Sequence, residues 1–390
     1  NAHLAVALVE FSRRNFDEAE RSYKEALALS PNLADATLGL AAVCHAKGDK
    51  KGAVALLKDI LERQPDNLAA VSALVDLYVT QGNLKDAIAL CQVVTERHSD
   101  YYVLRSKLSA LHVMNGNINQ AYKTAAAILR DKPDDVGANL ILAEMFLQAG
   151  LPSRSMEYSR KVLDDRGGLI PANKLLARAF LEDGSTQKAV DVLERLNKGA
   201  PNDLEASLLL SRAYVMLRKH DEAEACLKKA AEAHPNSALP HVLLGQFYAF
   251  MGKTDLAAAG YRKALGKDPE NATALNNLSS LLLEQGSGKA KEALDLALRA
   301  WRRAPDDPAT ADTLGWAYFS NKEYENARDL LFYAARRAPR QPTVRYHLGA
   351  ALHALGKNDP AKEHLEAALV ISSTFPEADK TRSLLEEMRK

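Results

Sequence analysis

Ten leucines stand in one column along this chain: Leu40, Leu74, Leu108, Leu142, Leu176, Leu210, Leu244, Leu278, Leu314 and Leu348, each 34 residues after the last except for one step of 36. Prolines keep the same beat at Pro31, Pro65, Pro133, Pro201, Pro235, Pro269, Pro305 and Pro339, with Ser99 and Gly167 in the two vacant positions. A fixed period of this length is the mark of stacked supersecondary units, none of which can bury its apolar face alone. Residues 236–269 contain one whole unit. Leu244 and Gly245 lie midway along one amphipathic run, Gly252 breaks it, Ala257 and Ala264 sit on a second run, and Pro269 closes it. The repeating element is therefore a helix, a turn and a helix.

Small residues follow most of the column leucines: Ala41, Ser109, Ala143, Ala177, Ser211, Gly245, Ser279, Gly315 and Gly349, with Val75 as the exception. A helix crossing close to that point would leave no room for more. A second small column, Ala53, Ala87, Ala121, Ala189, Ala223, Ala257, Ala327 and Ala361, with Ser155 as a near equivalent, marks the packed face of the second helix. The turn between them carries Gly48, Gly82, Gly116, Gly150, Gly184, Gly252 and Gly356, or Arg14, Arg218 and Lys322 where glycine is lost. Glycine accepts the left-handed conformation that ends a helix. Asp49, Asn83, Asn117, Ser185 and Thr254 beside the turn are expected to cap second helices. Asn67, Asp135, Asp203, Asn271 and Asp307 are expected to cap first helices.

Length and charge narrow the function classes. A chain of 390 residues exceeds the size at which one core stops growing, and the period assigns the excess to an array. Lys plus Arg number 51 against 50 Asp plus Glu, a net charge of +1 that argues against a global field for nucleic acid or anionic membrane and leaves only local patches. Cys44, Cys91 and Cys226 are odd in number and widely spaced, so they read as small core residues rather than a disulfide framework or metal cluster. No run of 18 apolar residues marks a transmembrane segment.

Catalytic chemistry has no foothold either. Gly286, Ser287, Gly288 and Lys289 lack the spacing and the preceding strand of a phosphate loop. No HExxH occurs, and His347 and His353, six apart, face different sides of a helix. No Ser, His and Asp grouping can be nominated. The sequon at Asn271, Ala272 and Thr273 reads as a helix cap. Neither an enzymatic activity nor a cofactor nor a bound metal is expected.

The leucine and small-residue pair, an aromatic three or four residues on (Tyr78, Phe146, Phe180, Tyr214, Tyr248, Tyr318), the turn glycine, the alanines and the closing proline together resemble the tetratricopeptide repeat (TPR). The resemblance covers essentially the whole chain. It implies an all-α, right-handed superhelical solenoid used for protein–protein interaction. The family's usual tryptophan early in the first helix is replaced by residues such as Thr37, Val71, His241 and Leu275. Eleven hairpins are expected, starting near residues 1, 35, 69, 103, 137, 171, 205, 239, 273, 309 and 343, as one array over 1–375. Residues 376–390 read as a capping helix with a charged outer face. The opening NAHLAVAL has no methionine and no cap, and is read as cut from a longer array. Regularity breaks around Arg166, Gly167, Gly168 and Pro171, and at Gly286 to Lys291, which adds two residues to a turn.

In that family the first helices line a concave groove, and by analogy Lys174, Arg178, Arg212, Gln246, Phe250, Asn276, Trp316, Phe319 and Tyr346 fall on it. Lys174, Arg178 and Arg212 form either a cradle for an acidic peptide, through bidentate guanidinium contacts, or a solvated face paired with Glu144, Glu182 or Glu205. The aromatic cluster is either a binding patch, with Trp316 its first anchor, or packing between helices. Arg299, Arg302, Arg303, Arg336, Arg337, Arg340 and Arg345 gather at the ends of second helices, where cations complement the helix dipole or form an edge for an anionic polymer. The lysine and asparagine clamp of some relatives is not reproduced: the corresponding positions read Leu38 and Ala42, Ser72 and Asp76, or Leu140 and Glu144. Nor is the asparagine ladder of sugar-transferring relatives, since Asn277 stands alone.

Residues 273–385, with LNNLSSLLLEQG, ALDLALRAWRRAPDDPATADTLGWAYF and a closing FPEAD, resemble the last repeats of bacterial TPR proteins found with exosortase and exopolysaccharide loci. That resemblance implies a scaffold of the bacterial periplasm or envelope, serving polysaccharide assembly or secretion. Two other readings stand beside it: a regulatory or substrate-docking arm of a larger enzyme, and a cytosolic peptide-binding co-chaperone working through Lys174, Arg178 and Arg212.

Overall fold

The computed structural model describes residues 2–389, which fold into 23 α-helices joined by short turns. The chain divides into two compact units, residues 1–199 and 200–390. The first holds α1 (Ala2–Ser12), α2 (Phe16–Leu29), α3 (Ala34–Ala46), α4 (Lys50–Arg63), α5 (Leu68–Thr80) and α6 (Leu84–Arg97). It continues through α7 (Tyr102–Met114), α8 (Ile118–Asp131), α9 (Val136–Gln148), α10 (Pro152–Asp165), α11 (Ile170–Glu182) and α12 (Thr186–Gly199). The second holds α13 (Leu204–Met216), α14 (His220–Ala233), α15 (Leu239–Phe250), α16 (Thr254–Lys267), α17 (Ala272–Glu284) and α18 (Ala290–Arg303). Its remaining helices are α19 (Pro308–Ser320), α20 (Tyr324–Arg337), α21 (Pro342–Ala354), α22 (Asn358–Ile371) and α23 (Ala378–Glu387). Each odd-numbered helix up to α21 packs against the even one that follows, and the fold class is the all-α solenoid that the period demands. Within the second unit the first helices also lie side by side, α17 on α19 and α19 on α21.

The turns explain how so many hairpins close in the same way. At the first of the glycine turns the Asp49 N–H reaches back to the Cys44 carbonyl at 2.9 Å, and Lys253 and Glu323 do the same to Tyr248 and Tyr318 at 2.8 and 3.0 Å. This closure requires a left-handed residue just before it. Where glycine is missing the geometry is kept regardless: Arg14, Arg218 and Lys322 have φ of 64°, 58° and 67°. A left-handed side chain costs roughly 1–2 kcal/mol, partly offset by the freedom a glycine would regain on unfolding. Replacing any of the three with glycine is therefore expected to stabilise the protein by about 0.5–1 kcal/mol. Urea unfolding checks this, and a loss of stability at all three would refute it.

The small column does what close crossing requires. A Cβ added at Gly245 would lie 2.5 Å from the Tyr261 ring, and one at Gly349 would lie 2.6 Å from Leu365. Where serine occupies the column, its hydroxyl is tied to the second helix: Ser109 donates to the Ala121 carbonyl and Ser279 to that of Ala293, both at 2.7 Å. The five expected first-helix caps all form. Asn67, Asp135, Asp203 and Asn271 accept from the N–H three residues on, at 2.8–3.1 Å, and Asp307 accepts from Ala309 at 3.0 Å. Of the turn-side caps, Asp49 accepts from Gly52 at 2.8 Å. Asn83 and Asn117 make no side-chain cap, and Thr254 lies inside α16, whose cap position is Lys253. The backbone closure already fixes these turns, so the side chain is not needed there.

The two-residue insertion forms a short 3₁₀ turn, Ser287–Lys289, ahead of α18. The cysteines are unpaired and inward-lying. Burial pushes the Cys91 thiol up to about 12 and that of Cys226 up to about 11. At pH 8 both are expected to react with a disulfide reagent at least about a hundredfold more slowly than in urea, because the thiolate is the nucleophile. Equal rates folded and unfolded would contradict their placement.

Candidate functional site

In the first unit the expected cations turn out to be engaged. The Arg178 guanidinium, on α11, makes two bonds to the Glu144 carboxylate of α9, at 2.8 and 3.2 Å. The solvated-face reading of this residue is thus the one observed: an incoming carboxylate would have to displace Glu144. Lys174 lies half-buried one turn earlier on α11. A pairing not foreseen lies two hairpins back, where Lys107 bridges both Asp76 oxygens at 2.7 Å and the Ser72 hydroxyl at 2.6 Å. Its partners are 31 and 35 residues away, so only the repeat phase could have signalled it.

In the second unit Arg212 and Gln246 are exposed on α13 and α15. Phe250, at the end of α15, leaves 70 % of its surface to solvent, its ring 6.2 Å from that of His220. Asn276 is half-buried on α17, with its Oδ1 enclosed and without a hydrogen-bond partner among the described residues.

The aromatics of α19 and α21 form one construction. Trp316 is stacked between two rings: Phe319 at 4.5 Å and 5°, and His347 at 4.0 Å and 15°. His347 is only 7 % exposed, and its Nδ1 lies 2.9 Å from the Asp312 carboxylate, which fixes the imidazole plane. Trp316 and Phe319 remain partly exposed. Next to Trp316, Gly315 lets α19 sit directly on Leu331 of α20.

Tyr346 departs from expectation. It is 8 % exposed and packs in one cluster with Leu365, Phe375, Ala378 and Leu385, so it supports the wall from behind instead of lining it. The cause is α23 and the turn before it, whose Glu377 accepts from the Thr343 hydroxyl at 2.9 Å and brings the helix over Tyr346. Burial, and secondarily the Glu377 carboxylate, holds the Tyr346 hydroxyl above its ordinary pKa. The pairing of His347 with Asp312 was not foreseen in the sequence. The available signal was their spacing of 35 residues, which sets them facing across adjacent first helices.

Along the arginine edge, Arg299 and Arg303 both grip Glu270, at 3.1 and 3.0 Å, and Arg345 bonds to His364 at 2.9 Å. Arg337 lies over the Tyr333 ring at 5.4 Å.

Comparison with known proteins agrees with this architecture. Two tetratricopeptide repeat family models match, one over residues 10–77, 45–108, 78–145 and 180–247 and the other over 242–308 and 313–375. No curated protein matches the sequence. Among solved structures, the APC/C hetero-tetramer Cut9–Hcn1 aligns with 99 % of this chain and 95 % of its own, at 13 % identity and a TM-score of 0.53. A tetratricopeptide repeat protein from Parabacteroides merdae aligns with 64 % of this chain and 98 % of its own, at 18 % identity and a TM-score of 0.51. No helix is long and apolar enough to cross a membrane among the described residues. With family models covering most of its length and the hairpin geometry described above, this chain belongs to the tetratricopeptide repeat family, whose members mediate protein–protein interactions.

Proposed function

We propose that the chain is a non-catalytic scaffold that holds a partner protein or peptide against its first helices, anchored on the aromatic wall of α19 and α21. The observation that carries this reading is the partly exposed Trp316, held between Phe319 and His347. A ring locked in place by its neighbours loses little entropy on binding, and large aromatics of this kind dominate interface energies. The acidic-peptide cradle is less favoured because Arg178 already has its carboxylate in Glu144. The Cut9–Hcn1 hetero-tetramer, which shares the fold, is an instance of such an array bound to another protein. The setting suggested by the sequence, envelope polysaccharide assembly or secretion, is supported by the wording of residues 273–385 alone.

The chain has two tryptophans, so a Trp301→Phe variant leaves Trp316 as the sole reporter. Titrating that variant with a protein retained by the immobilised full chain is expected to shift the Trp316 emission to shorter wavelength. Saturable binding without any change in emission would place the partner elsewhere.

A further inference from the structure

The last two residues of α18, α20 and α22 are Arg302 and Arg303, Arg336 and Arg337, and Val370 and Ile371. Each pair follows the previous one by a full period of 34, so the three pairs occupy one phase at the same end of three successive second helices. Arg302, Arg336 and Arg340 are exposed, and none makes an ion pair or side-chain hydrogen bond among the described residues. Arg303 is spent on Glu270, and Arg337 rests on Tyr333. Beside these cations sit apolar side chains that nothing covers: Val370 is 86 % exposed, and Phe332, one turn back on α20, is 51 % exposed. Complementing a helix terminus would account for cations here, but not for Val370 standing at the third repeat of the same position.

We propose that this edge is a docking surface for an anionic lipid bilayer. A row of unneutralised guanidiniums flanked by exposed aliphatic and aromatic side chains suits a surface that carries negative headgroups over an accessible apolar layer. A soluble polyanion would use the arginines and leave Val370 and Phe332 in water. Of the acidic residues around the row, Glu366, one turn before Val370, lies 3.8 Å from Lys362. Asp306, four residues after Arg302, makes no ion pair with Arg302, Arg336 or Arg340 among the described residues. Asp295, Asp329 and Glu363 lie seven positions back along the same helices, about 10 Å from the row. The proposal does not rest on the aromatic wall.

The test is sedimentation of the full chain with phosphatidylglycerol/phosphatidylcholine vesicles, against phosphatidylcholine alone, over a range of salt. Binding is expected only to the anionic vesicles and to weaken as salt rises. The variant Arg302→Gln/Arg336→Gln/Arg340→Gln is expected to bind about a hundredfold more weakly, about fivefold for each charge near the surface. Val370→Ser is expected to lose about tenfold, and to keep that deficit at high salt because its contribution is apolar. All these positions are exposed, so unchanged thermal unfolding of the variants controls for the fold. Equal binding to neutral vesicles, an unaffected triple variant, or binding of dextran sulfate without binding of anionic vesicles would each overturn the assignment.

Discussion

Gly315→Val is expected to destabilise the protein by about 3 kcal/mol, the upper part of the range for overpacked cores. The new Cβ would lie 2.6 Å from Leu331 Cγ, 2.9 Å from its Cδ2 and 3.3 Å from the Ala327 carbonyl. Leu331 is fully buried and cannot swing away, so α19 and α20 must part. Separating them loosens the cluster of Ala311, Ala327, Leu331, Val344 and Leu348 that joins this hairpin to the next. Gly252→Ala is the control. Gly252 is left-handed at φ 69° with nothing within 4 Å, so the change should cost only the net backbone penalty of about 0.5–1 kcal/mol. Leu331→Ala would ordinarily cost 2–5 kcal/mol, but combined with Gly315→Val it should cost clearly less than the sum, because the methyl groups would occupy the vacated space. Additive losses in urea unfolding would mean that the two helices do not meet at this point.

Trp316→Ala is expected to weaken the retained partner by at least about thirtyfold, corresponding to a loss of 2 kcal/mol or more at an interface hot spot. The ring is held by Phe319 and His347 against its faces and offers a partner only what they leave uncovered, so its removal leaves a gap between the two that a partner side chain cannot fill in the same geometry. Phe250→Ser tests whether the contact extends to α15. Phe250 is exposed and unsupported apart from His220, so a loss of less than about fivefold is expected there. Trp316→Phe separates packing from recognition: it should keep stability near wild type while recovering only part of the affinity. Isothermal titration of each variant with the same partner gives the comparison, and equal affinity of wild type and Trp316→Ala would remove Trp316 as the anchor.

The fold was legible because its determinants are local and repeated. A turn residue, a small residue and a leucine at fixed offsets settle the pairing of two helices whatever the rest of the chain does. Even the non-glycine turns followed, since Arg14, Arg218 and Lys322 adopt the left-handed conformation their position imposes. The surface was less legible, because phase places a residue on a face without saying whom it meets. Arg178 meets Glu144 across a full period, and Tyr346 is covered by a helix whose approach depends on the Ser372 to Glu377 turn. The sequence also could not tell that His347 would be turned flat against Trp316, a choice made by Asp312 on the neighbouring helix. Repeat periodicity therefore fixes the wall, and contacts between repeats decide which of its side chains remain available.

Backbone hydrogen exchange of the full chain, with and without its bound partner, tests the scaffold account most directly. Protection is predicted to concentrate in residues 308–320 and 342–354, the helices that carry Trp316 and His347. Protection confined to the second helices, or to the first unit, would contradict it.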